Sequence, residues 1–230
     1  METNPVYLIS GGHPPNAKQM EQDFRKAFES CGNPNPKVAY VGTANSDSKL
    51  FFRLFKRPLA RAGAREVTLA PIMGRHADTQ TAERALSEAD CVFLAGGEVE
   101  DGILGLKKDG LDAFLTELYS NGKMFFGVSA GCIMMGRNWV HWDVENIDDT
   151  ASLFDCLNFV PFTFDTHCEK EDWKELKCAL HLIGPGAIGY GLSSFGFYCA
   201  GSDGRLESYR NAPAVFRNIE GNISLVARDE

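Results

Sequence analysis

Met124-Phe125-Phe126-Gly127-Val128-Ser129-Ala130-Gly131-Cys132 runs from an apolar strand into a serine held between two glycines, and this stretch decides the fold. It spells G-x-S-x-G, the pattern of a nucleophile elbow, in which a strand bends sharply into a helix and pushes the serine hydroxyl out above the sheet. A side chain at either glycine would clash in so tight a turn. The backbone N–H of Ala130, directly after the serine, then sits where an oxyanion would form. Taken alone, the same five residues also fit an ordinary tight turn.

Upstream of the elbow, short β-rich runs alternate with amphipathic stretches. Val6-Tyr7-Leu8-Ile9 precedes a predicted helix over 16–30, and Val38-Ala39-Tyr40-Val41 precedes one over 46–62. A strand over 66–69, a helix over 79–87, the strand Cys91-Val92-Phe93-Leu94, a helix over 102–120 and the strand into Ser129 complete the series. Continuous apolar strands spaced by helices predict an α/β fold, a doubly wound and mostly parallel sheet with helices on both faces. Ligands of such sheets bind at the carboxyl ends of the strands, which is where Ser129 falls. After the elbow the sequence predicts a helix over 170–183 and strands over 186–190, 196–199 and 223–227, expected to extend the sheet. With no repeat, low-complexity segment or linker in view, residues 1–230 read as one domain.

Composition narrows the function classes. Hydrophobic residues at 44% and charged ones at 23% exclude disordered and fibrous chains. A net charge of -8 lacks the basic footprint of a nucleic-acid binder. No apolar stretch approaches a membrane span and no basic-then-apolar leader opens the chain, so a cytoplasmic protein without membrane contact is expected. The seven cysteines are odd in number, scattered and without a C-x-x-C pair. They suggest reduced thiols rather than zinc or disulfides, and no metal or cofactor is expected. Nothing in the sequence speaks to oligomeric state.

A serine nucleophile needs a base, and five histidines are available. His181 lies in the predicted 170–183 helix and His76 in a polar loop, which suits structural or solvated roles. His13 follows Gly11-Gly12 at the end of the first strand, where it could contact substrate or simply occupy a loop. His167 ends the run Phe162-Thr163-Phe164-Asp165-Thr166 just before a helix, where a strand-end side chain could reach the serine. Leu94-Ala95-Gly96-Gly97-Glu98 runs a strand into paired glycines, which can approach a ligand closely and present an N–H. If Gly97 lies beside Ser129, its N–H and that of Ala130 form a two-donor oxyanion hole; otherwise it is a strand-to-helix turn.

Gly96-Gly97 after an apolar strand, Gly127-Val128-Ser129-Ala130-Gly131, and Phe154-Asp155-Cys156-Leu157-Asn158-Phe159-Val160-Pro161 followed by Asp165-Thr166-His167 together resemble the peptidase E and cyanophycinase family of serine peptidases, family S51. The resemblance runs from the first strand to about Gly191. It implies a class I glutamine amidotransferase-like fold with serine in place of the usual cysteine nucleophile. Carried over, Ser129 is the nucleophile, His167 the general base, and Gly97 and Ala130 the oxyanion donors. The family places an important acid some fifteen residues past the serine, where this chain offers Asp143 or Glu145. Such an acid would orient the histidine, bind a substrate amino group, or be a solvated loop carboxylate. Asp165, two residues before His167, is a further candidate for orienting it or for contacting substrate.

The chain also departs from that family. Where relatives carry phenylalanine and then arginines that hold an acidic substrate group, Cys168-Glu169-Lys170-Glu171-Asp172-Trp173-Lys174 has no arginine, and lysines lack the bidentate fork of guanidinium. Glu98-Val99 follow Gly97 in place of an amide or hydroxyl, and an acid there would repel an oxyanion unless it faces a substrate amine. Ile188-Gly189-Tyr190-Gly191-Leu192 lacks the acidic pair of cyanophycinase-like members. The leading expectation is a cofactor-independent serine peptidase or amidase, dipeptidase-like, acting on a small peptide or isopeptide through an acyl-enzyme. Two alternatives are an inactive relative that binds a small peptide or metabolite and an α/β-hydrolase esterase. A cysteine amidase using Cys132 fits least, because that residue falls inside the helix after the elbow.

Overall fold

A computed structural model of the chain describes residues 3–12, 16–144 and 148–226. The strands read before the elbow are β1 (Val6–Ile9), β2 (Lys37–Val41), β3 (Glu66–Leu69), β4 (Cys91–Leu94) and β5 (Met124–Val128). They pair parallel in the order β1-β5-β4-β2-β3. Between them run α1 (Ala17–Phe28), α2 (Lys49–Ala62) and α3 (Thr79–Glu88), whose first turns are capped by the side chains of Asn16, Ser48 and Asp78. Each cap accepts a backbone N–H that would otherwise have no partner inside the helix.

The expected helix over 102–120 is two helices, α4 (Val99–Lys107) and α5 (Leu111–Ser120). Gly110 stands between them at φ 72°, a left-handed backbone that ends one helix and starts another. Directly after Ser129 comes the short α6 (Ala130–Met135), and then a ribbon of β6 (Asn138–Trp142) and β7 (Ala151–Asp155) that forms a sheet of its own. β8 (Thr163–Thr166) leads to α7 (Lys174–Ile183), four residues shorter at its start than the 170–183 helix predicted. Asp172 and Trp173 adopt left-handed backbone there, and the Trp173 ring is buried against Gly191, where an added Cβ would meet it at 2.7 Å. Burial of the indole, not helix propensity, fixes that corner.

The later strands are β9 (Ile188–Leu192), β10 (Phe197–Ala200), β11 (Leu206–Arg210), β12 (Ala214–Ile219) and β13 (Asn222–Leu225). Of the three expected to extend the main sheet, the one over 196–199 does: β10 pairs antiparallel with β1 and β11 with β10, giving seven strands in all. Those over 186–190 and 223–227 do not. β9 and β13 belong to a second sheet, β13-β12-β9-β8, covered by α7. Gly189 allows this, since Leu176 and Leu180 of α7 lie 2.7 and 3.0 Å from where its Cβ would be.

Strand alternation divides the main core in two. Tyr7, Tyr40, Phe93 and Phe126 point toward α1 and α2, and the last three meet Phe24 and Phe55 in edge and tilted ring contacts at 5.2–6.3 Å. Leu8, Ala39, Val92 and Phe125 point to the other face, toward α3 to α6. Successive strand residues face opposite sides, so a sheet buried on both faces must be apolar at every position. β1 and β5 are buried throughout. Truncating one of these buried phenylalanines costs about 3–5 kcal/mol.

Candidate active site

β5 ends at Val128, and Ser129 stands at φ 53° and ψ -122°, a conformation that a non-glycine residue holds only under constraint. The constraint is the packing of its two glycines. An added Cβ on Gly127 would meet the Gly131 carbonyl at 2.7 Å, and one on Gly131 would meet the Leu94 oxygen at 2.2 Å. Strand, turn and helix start therefore touch backbone to backbone, and Ser129 projects from them at the carboxyl edge of the sheet.

His167 follows β8, so the second sheet, not the strand beside β5, delivers it. Its N–H donates to the Leu192 carbonyl at 2.9 Å, which anchors it at φ 48°. Its Nε2 lies 2.7 Å from Ser129 Oγ. Gly96 and Gly97 come alongside from the end of β4: a Cβ on Gly96 would lie 3.2 Å from that of Ser129. Gly97, at φ 146°, runs so close to the Ala44 carbonyl that an added Cβ would overlap it at 1.9 Å. Among the described residues, the N–H groups of Gly97 and Ala130 donate to no protein acceptor.

Two cavities meet at this pair. One, of about 360 Å³, is walled by Met20, Phe51, Leu54, Phe55 and Phe195. Beneath it, Arg210 donates from both terminal nitrogens to Asp23, at 2.7 and 2.6 Å, and the Asp23 side chain is almost wholly buried. The other, of about 350 Å³, is lined by Glu98, Glu100, Asp165, Glu175, His141 and Trp142. His141 Nδ1 pairs with Glu100 at 2.7 Å and its Nε2 faces Asp143 at 3.4 Å. These acids raise its pKa, chiefly through the hydrogen bond to Glu100.

Asp165 is 1% exposed. Its Oδ1 accepts from the Thr166 N–H at 2.7 Å, and its Oδ2 has no well-formed hydrogen bond among the described residues. Burial first, and the neighbouring Glu175 second, push its pKa up to about 7. Glu175 is itself raised by burial and by Glu98 and Glu171. Ligand atoms of Asp165, Cys168 and Glu175 lie within 4.8 Å of one another, the group among the described residues that could meet on a cation.

Ser129, His167, Gly97, Ala130, Glu98 and Asp165 thus share one site. Asp143 turns an exposed carboxylate to His141, whereas His13 and Glu145 lie outside the described residues. Cys132 is buried, its thiol directed to the Ile9 and Gly127 carbonyls, and burial raises its pKa far above the ordinary thiol range. Sequence reasoning missed Glu175, Trp142 and the Asp23–Arg210 pair. Each reaches the site through a tertiary contact that no local pattern announces.

The model of the family described as Peptidase family S51 matches residues 6–193. Over 149 residues the chain is 24% identical to the uncharacterized peptidase YgaJ of Bacillus subtilis, covering 64% of this chain and 60% of that protein. Over 96 residues it is 27% identical to an uncharacterized peptidase of Listeria monocytogenes, covering 40% of this chain and 46% of that protein. The chain therefore spans less than two thirds of either relative's length. Among solved structures, a peptidase from an acI-B1 Actinobacterium superposes with a TM-score of 0.70 at 16% identity, covering 100% of this chain and 96% of that one. A candidate peptidase E protein from Listeria monocytogenes superposes with a TM-score of 0.65 at 18% identity, covering 91% of this chain and 100% of that one. At such identities the likeness is one of fold, the class I glutamine amidotransferase-like architecture.

Proposed function

The chain belongs to peptidase family S51, and on that premise we propose that it is a serine peptidase that cleaves small peptides or isopeptides through an acyl-enzyme. One observation carries this reading: Ser129 Oγ and His167 Nε2 lie at 2.7 Å, beside two backbone N–H groups that have no protein acceptor among the described residues. Ser129 Oγ attacks the scissile carbonyl carbon as its proton passes to His167 Nε2. The carbonyl oxygen gains negative charge and is received by the N–H groups of Gly97 and Ala130. As the tetrahedral intermediate collapses, the C–N bond breaks and His167 returns the proton to the leaving amine. Water then gives its proton to His167 and attacks the ester, releasing the acid and regenerating the serine.

Glu145 is the better candidate for the acid that orients His167, because Asp143 is engaged with His141. A binding protein without catalysis would be favoured by a serine out of reach of its histidine, and here the two are in hydrogen-bond contact. An α/β-hydrolase esterase would carry its histidine after the last strand, whereas His167 follows β8 with β9 to β13 still to come. All seven cysteines remain thiols, outside any disulfide, which fits a reducing compartment such as the cytoplasm.

The test is labelling by a fluorophosphonate together with turnover of a dipeptide and isopeptide library. Wild type should be labelled and active, and Ser129→Ala should lose both, with kcat down by about 10⁴-fold or more. Labelling that persists in Ser129→Ala sinks the assignment.

A further inference from the structure

The cavity on the His141 side of Ser129 gathers negative charge that its own walls do not balance. Glu100 and Asp143 are answered by His141. Glu98, Asp165 and Glu175 are not: among the described residues, no lysine or arginine lines the cavity. Lys174 and Lys170 are exposed, and Lys174 is the weakest of the influences on Glu175. Among the described residues, Asp165 Oδ2 is buried without a well-formed hydrogen bond, although a buried carboxylate oxygen ordinarily has one, and the Cys168 thiol and Leu176 N–H are the donors near this carboxyl. Trp142 Nε1, on the same wall, is likewise buried with no acceptor among the described residues.

Resting on the reading of Ser129 and His167 as the hydrolytic pair, we propose that this cavity recognises the substrate by a primary ammonium group. The ammonium is seated among the carboxylates of Asp165 and Glu175 and the sulfur of Cys168, with Glu98 at the rim. Geometry favours an ammonium over a guanidinium. An ammonium presents three donors from one compact point, whereas guanidinium is a flat fork. The three ligand atoms here lie within 4.8 Å of one another, close enough to meet on one compact cation. Burial first, and the surrounding carboxylates second, raise the pKa values of Asp165 and Glu175. An arriving ammonium would relieve the repulsion among these carboxylates. The apolar cavity across Ser129 takes the uncharged part of the substrate.

The experiment uses the full chain carrying Ser129→Ala, so that binding is read without turnover, and titrates alanyl-leucine, N-acetyl-alanyl-leucine and N-acetyl-lysyl-leucine by calorimetry. At least one ammonium-bearing peptide should bind about tenfold or more tightly than N-acetyl-alanyl-leucine. Advantage for alanyl-leucine identifies the α-ammonium, and advantage for N-acetyl-lysyl-leucine identifies the side chain. Adding Glu175→Gln or, at the exposed rim, Glu98→Gln should shrink that advantage severalfold. Equal binding of all three peptides, no binding of either ammonium peptide, or an advantage untouched by both substitutions overturns the proposal. Zinc that binds with micromolar affinity and is lost in Cys168→Ser would assign the cluster to a metal and overturn it as well. The two readings fail separately. A wild type without turnover beside a Ser129→Ala that keeps its ammonium preference removes only the hydrolytic reading, while turnover without that preference removes only this one.

Discussion

The two cavities that flank Ser129 both contain a buried carboxylate, and the two carboxylates are treated in opposite ways. Under the apolar cavity, Asp23 receives both terminal nitrogens of Arg210, which also donates from Nε to the Phe195 carbonyl at 2.6 Å. Charge there is balanced inside the protein, and the pair braces α1 against β11. In the acidic cavity, Asp165 sits beside Glu175 with one oxygen lacking a well-formed hydrogen bond among the described residues. A charge answered within the fold serves the fold. One left unanswered beside a nucleophile is available to a ligand, which is why similar residues in adjoining cavities receive different roles here.

Asp23→Ala puts this contrast under the greatest stress. Removing one partner of a buried ion pair leaves the other uncompensated, so urea denaturation should show a loss of about 3–5 kcal/mol. A loss near zero would mean the pair does not brace the fold. Next in size is a pH effect. The folded pKa of Asp165, about 7, lies above its unfolded value, so the native state binds the extra proton. Its contribution to stability is complete below about pH 4 and is lost as pH rises toward 7 and slightly beyond, on the order of 4 kcal/mol. Asp165→Asn should remove that part of the decline. The slope of melting temperature against pH, rather than its absolute value, is the quantity to compare, and an unchanged slope refutes the assignment. The smallest effect belongs to Leu54→Ala, at an exposed wall of the apolar cavity. It should raise KM severalfold for peptides with a large apolar residue and shift stability by about 0.5 kcal/mol or less. An equal rise for peptides lacking such a residue would deny that cavity a part in selectivity.

Much of the fold is legible from local pattern. The inner parallel strands announce themselves because a strand buried on both faces is apolar nearly throughout; β3 is an edge strand with exposed Glu66 and Thr68, yet β1, β3 and β4 all begin and end where the sequence predicts. The elbow is legible because only glycine tolerates the backbone contacts at Gly127 and Gly131. The chain beyond Ser129 is harder to read. The 186–190 and 223–227 segments have ordinary strand composition, and their assignment to a second sheet rests on α7 packing against Gly189 and on Trp173 filling the space over Gly191. Glu175 looks like any first-turn helix acid. Its meaning comes from Asp165, ten positions earlier and on another element.

The ribbon of β6 and β7 supplies Trp139, Val140, His141 and Trp142 to the acidic cavity while pairing with neither larger sheet. The walls of the apolar cavity are instead the core-bearing helices α1 and α2. Heritable variation is thereby channelled. Substitutions at the ribbon's half-buried His141 and Trp142 can retune what one side of the serine admits without touching the central sheet, whereas on the other side exposed Leu54 is free to vary but Phe55 and Asp23 are held in the folded frame. Descendants of this chain should diverge in diet chiefly through the ribbon.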